Sequence, residues 1–570
     1  MRASQNVHGS QGMAVRDWDL DRAWGSSFFV CAVVFCFLFF LRLPTILSAH
    51  ELNVDESQML SQGMKFLLDP MPWRAVDGTT SGPLNSYLIS LFLLMGFRAN
   101  YALAHGLATG LLALQVVLAH QTLLRITSRR AAAWGILPMM FALGFTRNRN
   151  YLHYASELLP ALLLALGFYS FVVWMQQEDE GTKPRRWLMA FVAGLTLGCA
   201  PWCKLQALPM SAALSGLVFL AMLFRGNSSR GGLGGRIASA GAFCAGAVLP
   251  SCVILSVVAR GGAIRDFWYS YILSNFRYAG GLEVSRLFKH LGIAIARPET
   301  LPLFLACFAA GIVLFLQVAD KRDMGLSSKE HWIVGILACW LAAALFAVCR
   351  PARFFTHYTI FLFYPTTCLA AILFHRGFAT FKKDSLIVLN RWCRLSVEAV
   401  TLFLLLFTAY QIVQDARDPR EPDGNDKIAA TVVEIRREHG VKSMAIWGWA
   451  PGVYVLTGIP PATRDAIPYN AINKEYEKSA DGHSMIRETK IHPYFGHRFV
   501  SDLRDAKPDL FIDAVAPGAF MWTWTPEDGY ESDGETREFI NQNYYEIKDL
   551  PLASGGKPVR FFLRREYLSR

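Results

Sequence analysis

Pro83-Leu84-Asn85-Ser86-Tyr87-Leu88-Ile89-Ser90-Leu91-Phe92-Leu93-Leu94-Met95-Gly96-Phe97 is apolar throughout, yet only fifteen residues long. A hydrocarbon core about 30 Å thick needs roughly 20 helical residues. Whether this stretch crosses a bilayer fixes the side on which every later loop lies. The rest of the chain answers the question. Long apolar runs stand at 27–48, 101–124, 131–148, 158–176, 187–203, 205–224, 237–259, 301–319, 331–349, 356–375 and 395–414, eleven in all. Basic clusters alternate with them: Arg16 and Arg22; Arg125, Arg129 and Arg130; Lys183, Arg185 and Arg186; Arg225, Arg230 and Arg236; Lys321, Arg322 and Lys329; Arg376, Lys382, Lys383 and Arg391. Eleven spans place all six clusters on one side, which the positive-inside rule makes cytoplasmic. Counting 83–97 as a twelfth would throw five of them outside. The stretch therefore reads as an interfacial or re-entrant helix.

That reading makes the chain an all-α polytopic membrane protein with its N-terminus inside and its C-terminus outside. The 570 residues are 53% hydrophobic with a mean hydropathy of +0.27. Net charge is +11, which the loop bias explains; no aromatic-interleaved basic patch points to nucleic acid. All eleven cysteines fall in or beside the first 400 residues, scattered as small core residues rather than as a disulfide or zinc framework. Residues 1–26 are polar, and the run from Ser27 to Ala49 lacks a cleavage pattern, so no signal peptide is expected. From about Asp415 the composition turns soluble. Lys427 to His439, Arg498 to Ala506 and Glu535 to Tyr544 read as helices; Ser443 to Trp447, Asp509 to Ala514 and Val559 to Leu563 read as strands. A small α/β domain over 415–570 follows.

The same topology puts Asp55, Glu56, Glu157, Lys204, Arg353 and His357 on one face. Each has a bland explanation. Asp55 and Glu56, in Asn53-Val54-Asp55-Glu56-Ser57, could merely cap a helix. Glu157, in His153-Tyr154-Ala155-Ser156-Glu157-Leu158-Leu159-Pro160, could do the same with Ser156 as cap. Lys204 could snorkel, and Arg353 could face solvent. Together they suit chemistry on an anionic, membrane-borne substrate: carboxylates to bind a cation or an acceptor, and cations to hold phosphate. Arg147, Arg149, Arg350 and the segment 263–297, with Arg265, Arg277, Arg286, Lys289 and His290, add positive charge to the outer face, suiting anionic head groups.

This pattern resembles the GT-C class of polyprenyl-phosphate-sugar-dependent glycosyltransferases, in particular bacterial relatives of protein O-mannosyltransferases and the lipid A aminoarabinose transferase. Asp55-Glu56 is similar to the acidic pair of that class's first external loop, and Ser81-Gly82-Pro83-Leu84 to its Lys-Pro-Pro-Leu-like helix start, with the Lys-Pro replaced. Glu157, Lys204, the run Arg353-Phe354-Phe355-Thr356-His357-Tyr358 with Pro365, and Trp447 to Gly458 resemble further class segments in the same order. The resemblance implies a cytoplasmic segment 1–26, a GT-C-like transmembrane domain 27–414 with catalytic external loops 49–100, 149–157 and 260–300, and a periplasmic domain 415–570. It implies a sugar moved from a polyprenyl-phosphate donor to a glycolipid, glycan or protein acceptor at a bacterial inner membrane, with inversion. Asp55 is the expected base and Glu157 the second expected catalytic carboxylate. Lys204, Arg353, His357 and Tyr358 are expected on the donor phosphate. Glu56 and Glu157 are expected on the acceptor or on a divalent cation, Mg²⁺ or Mn²⁺. A polytopic lipid or sugar transporter is the alternative, and would place its charges near the bilayer midplane instead. The Asn227-Ser228-Ser229 sequon falls in a cytoplasmic loop, as suits a bacterial protein.

Overall fold

The computed structural model describes residues 27–48, 50–180, 183–224, 233–280, 283–319, 328–351, 353–378, 423–468, 471–478, 484–519, 528–553 and 556–569. The first ten of the eleven expected spans are helices; the eleventh, 395–414, and the boundary near Asp415 lie outside the described residues. Among the described residues, seven helices are long and apolar enough to cross a membrane, or eight if the bent pair Val284–Ala296 and Leu301–Ile312 is one span. The chain is a multi-pass membrane protein. The Pro83–Leu94 helix is twelve residues long, about 18 Å, and too short to cross.

Close packing between the long helices rests on small residues. A Cβ on Gly194 would lie 2.0 Å from the Phe243 carbonyl oxygen, and one on Gly246 would lie 2.2 Å from that of Phe191. The Lys183–Cys203 and Leu233–Arg260 helices therefore touch backbone to backbone, as membrane helices do where burial of apolar surface gives no driving force. The segment expected as a loop, 263–297, is helical: Ile264–Phe267, Trp268–Leu273, Ser274–Ala279 and Val284–Ala296, the last turned 95° from the Leu301–Ile312 helix. It exposes Trp268, Phe276, Val284 and Phe288, an amphipathic arrangement that fits an interface.

The C-terminal residues form a four-stranded sheet in the order β1-β4-β6-β5, with β1 Met444–Trp447, β4 Leu510–Asp513, β5 Tyr544–Leu550 and β6 Val559–Arg564. β1 and β4 run parallel, Met444 against Leu510, and the other pairings are antiparallel. Helices Gly424–His439, Pro493–Ala506 and Gly534–Asn543 flank the sheet. A second, two-stranded antiparallel sheet, β2 Ile472–Lys478 and β3 Ser484–Ile491, was not expected: its sequences carry too few apolar residues to alternate visibly.

This unit is bound to the membrane-side loops through a buried charge cluster. Arg498 donates to Asp77 at 2.7 Å, to Asp465 at 2.8 Å, to Asp266 at 3.3 Å and to Ser270 at 3.0 Å. Arg464 forks onto Asp502 and reaches Asp266 at 3.3 Å. A second tie joins Asn425, whose amide donates to Glu51 at 2.6 Å. Burial pushes the Asp465 carboxyl up to about 7, against the pull of Arg498, and pushes Glu51 up to about 7 as well.

Candidate functional site

Four separate stretches meet where the helices end. The first is the start of the Val54–Phe66 helix. Asn53 caps it, accepting from the Asp55 N–H at 3.0 Å, while Glu56 reaches back to the Asn53 and Leu52 N–H groups in a capping box. This geometry separates the adjacent acids. Glu56 turns inward, fully buried, with His105 Nε2 at 3.1 Å and the Tyr154 N–H at 3.4 Å from its second oxygen. Its role in the structure is to tie the loop to the Tyr101–Ile126 helix. Asp55 turns the other way and keeps 35% of its side chain open.

The second stretch is 146–157. Arg42, buried in the Ser27–Ser48 helix, donates to the carbonyls of Leu143 and Tyr151 and so fixes where this stretch begins. Its end carries Glu157, which is fully buried. Lys204, from the third stretch just past the Lys183–Cys203 helix, donates to Glu157 and, at 2.8 Å, to Ser156 Oγ. The fourth is the turn Thr356–Thr359. His357 Nε2 stands 3.9 Å from Asp55 and 3.8 Å from Glu157, and the Tyr358 ring lies 5.0 Å beneath the Lys204 ammonium. Tyr358 also meets the Tyr278 hydroxyl at 2.9 Å, bringing in the 263–280 segment.

The replaced helix start has its own logic. A Cβ on Gly82 would fall 2.0 Å from the Trp202 carbonyl oxygen. Gly82 donates to the Cys203 carbonyl at 2.7 Å, and Ser81 pairs with Lys204 as an antiparallel bridge. Only glycine fits so close an approach. Asn85, one turn on and fully buried, reaches the carbonyls of Cys203 at 2.9 Å and Ser156 at 3.1 Å. It joins the short helix to both the Lys204 and the Glu157 stretches.

Asp55 and Glu157 are pulled in opposite directions. Desolvation pushes the Asp55 carboxyl above its usual range, and His357 and Lys204 offset this only in part. Burial would push Glu157 up too, but Lys204 and His357 carry it below the usual range. Burial lowers His153, leaving a neutral ring.

Asp55, His153 and His357 each offer a ligand atom, all within 4.8 Å of one another. The two rings are oriented for it. His153 Nδ1 meets the Arg149 carbonyl at 2.8 Å and its buried Nε2 has no hydrogen-bond partner; His357 Nδ1 meets Asn150 Oδ1 at 3.1 Å. Carbonyl and amide oxygens behind a ring turn its other nitrogen into a ligand. These residues fit a divalent cation.

Of the residues expected from sequence, Asp55, Glu157, Lys204, His357 and Tyr358 come together; Glu56 is adjacent but engaged elsewhere; Arg353 lies exposed on the loop before His357. Sequence reasoning missed His153 and Asn85.

No protein-family model matches the chain, and no curated protein does. Among solved structures the chain is similar to ArnT from Cupriavidus metallidurans bound to undecaprenyl phosphate, at 14% identity over 76% of this chain and 75% of that one, with a TM-score of 0.45. It is also similar to the archaeal oligosaccharyltransferase AglB from Archaeoglobus fulgidus in complex with an inhibitory peptide and a dolichol-phosphate, at 11% identity over 87% and 70%, with a TM-score of 0.47. A complex of the Archaeoglobus fulgidus oligosaccharyltransferase with Zn and sulfate aligns at 11% identity over 85% and 68%, with a TM-score of 0.40.

Proposed function

We propose that the chain is a membrane glycosyltransferase that moves a sugar from a polyprenyl-phosphate donor to an envelope acceptor, with Asp55 as the base. One observation carries the reading: carboxylates and cations from four distant stretches converge at helix ends, not at helix centres. Asp55, Glu157 and Lys204 lie outside the helices able to span, and His357 is the second residue of its span. A transporter would need its ionisable groups at the midplane.

The chemistry follows from the charges. An acceptor hydroxyl oxygen attacks the anomeric carbon, and its proton passes to the Asp55 carboxylate. The bond from that carbon to the phosphate oxygen breaks, and its electron pair leaves with the lipid phosphate. Attack opposite the leaving group inverts the centre. Raised by desolvation and still reached by solvent, Asp55 is the better proton acceptor; Glu157, held ionised by Lys204, is the better positioning group. Lys204 and Tyr358 supply a cation and a hydroxyl where phosphate charge grows.

Two carboxylates and one ammonium leave the cluster with one net negative charge, a poor welcome for a phosphate. Asp55, His153 and His357 would hold a divalent cation, which when bound would reverse that sign and supply Lewis-acid stabilisation of phosphate charge. Two imidazoles with one carboxylate suit zinc or manganese better than magnesium. The outer side of a bacterial inner membrane is the location this reading assigns.

The test is transfer in vitro. Purified protein is given a polyprenyl-phosphate sugar and envelope fractions, and products are read by mass spectrometry. Wild type should add one sugar to one acceptor class and Asp55→Asn should not. Equal transfer by both would overturn the assignment.

A further inference from the structure

A groove runs beside the C-terminal half of the Pro83–Leu94 helix. The Tyr101–Ile126 helix presents Leu103, Gly106, Leu107, Gly110, Leu111 and Leu114 at spacings of three and one, which is a single helical face. That face floors a groove of about 660 Å³, walled by Phe39 on one side and by Leu88 and Phe92 on the other. Added Cβ atoms on Gly106 and Gly110 would meet nothing within 4 Å, so the glycines leave real space. From Asn100 to Leu114 the floor runs about 20 Å, about two thirds of a bilayer core.

The groove's mouth is charged. Arg98 and Asn100 line it, no acidic side chain does among the described residues, and no described side chain pairs with Arg98, which is exposed. Asn100 spends its oxygen capping the helix, accepting from the Leu103 N–H at 2.9 Å, and so keeps its amide as a donor. An apolar slot one chain long, open sideways to lipid and headed by a guanidinium, matches an acyl chain and a phosphate.

We propose that this groove binds one anionic phospholipid, its phosphate on Arg98 and one acyl chain along the Gly106–Gly110 floor. The donor's tail is the other chemistry that could enter. Its phosphate, however, belongs beside Lys204, which meets the opposite end of the Pro83–Leu94 helix through Ser81 and Gly82. A bound phospholipid would brace the helix that carries Asn85 into the reaction cluster, since Leu88 and Asn85 lie one turn apart.

The full-length protein can be exchanged into mixed nanodiscs of dioleoyl phosphatidylglycerol and dioleoyl phosphatidylcholine and its retained lipid read by native mass spectrometry. Wild type should keep one phosphatidylglycerol with about fivefold preference, the scale of one arginine at a membrane surface. Arg98→Gln should erase the preference. Gly106→Leu fills empty space and should abolish the adduct, while Gly216→Leu, on another helix and also meeting nothing within 4 Å, should leave it intact. Equal retention of both lipids by wild type, or an adduct surviving Gly106→Leu, overturns the proposal. So does displacement of the adduct by added polyprenyl phosphate, which would make the groove the donor's tail path. The readout is binding, so it stands apart from any failure of transfer.

Discussion

Glu157 and Asp55 show how two carboxylates a few ångströms from one imidazole are given different work. Lys204 sits on Glu157 and keeps it ionised, while desolvation leaves Asp55 easier to protonate. If Asp55 is the base, kcat/KM measured after metal removal should fall on the acid side through a value above the usual carboxylate range, about 4. The charge on Glu157 pushes Asp55 further up. Glu157→Gln should therefore move that limb to lower pH, and a limb that stays put would point to another base. His153 makes a separate prediction. His153→Ala removes a buried ring with an unpartnered Nε2, so metal retained after dialysis, measured by mass spectrometry, should fall by more than the roughly 10-fold that loss of an outer-shell partner costs, with the fold intact. Most of the cluster was legible because a charge beside an apolar run stands out. His153 was not, although it lies four residues before Glu157, because a lone histidine is usually a core residue. Asn85 carries no charge and disappears into an apolar pattern; only its burial and two carbonyl partners reveal it.

The short helix and its flanks belong to the scale of elements. Parity of the basic clusters identified Pro83–Leu94 as non-spanning, and its length agrees. The reason for Ser81-Gly82 was hidden, since a close approach to Trp202 has no sequence signature. Gly82→Val should push the Ser81–Lys204 bridge apart and cost transfer activity at least tenfold, with thermal stability reduced by about 1–3 kcal/mol. Activity near wild type would show that Lys204 does not depend on this contact. The clamp on the same segment is Arg498. Arg498→Gln leaves Asp77 and Asp465 buried without their cation, and breaking a buried pair costs about 3–5 kcal/mol. Protease nicking within 69–82 should rise accordingly. The pH sign follows from Asp465. An acid whose folded value lies above its ordinary one takes up protons on folding, so stability falls as pH rises from about 4 to about 7 and is level beyond. Glu51, also held up to about 7, acts with the same sign, so Asp465→Asn should lessen this slope without abolishing it. A slope unchanged in Asp465→Asn would put the effect elsewhere. In the C-terminal unit, β1, β4 and β6 were readable as apolar runs, whereas β5 was not read as a strand, the expected helix ending at its first residue, Tyr544.

At the scale of the molecule, one arrangement links topology to chemistry. Asp55, Glu157, Lys204 and His357 touch, so the loops that carry them share a face of the membrane. Only an even number of crossings between successive members allows that, and the non-spanning Pro83–Leu94 helix is what keeps the count even. The contacts fix the relative sides; the positive-inside rule applied to the six basic clusters predicts which side is cytoplasmic. The C-terminal unit bears on Asp77 and Glu51, so it belongs on the same side as the charged cluster. Single cysteines in a cysteine-free background test the whole scheme with an impermeant maleimide on intact cells. Glu438→Cys, in the C-terminal unit with 59% of its side chain exposed, should label from outside. Arg185→Cys, exposed at the start of the Lys183–Cys203 helix, should label only after permeabilisation. Labelling in the reverse order would put the cluster on the cytoplasmic face, where a donor could not meet an envelope acceptor. Labelling of both sites from one side would break the parity itself, because between them lies the odd number of crossings that the contacts require.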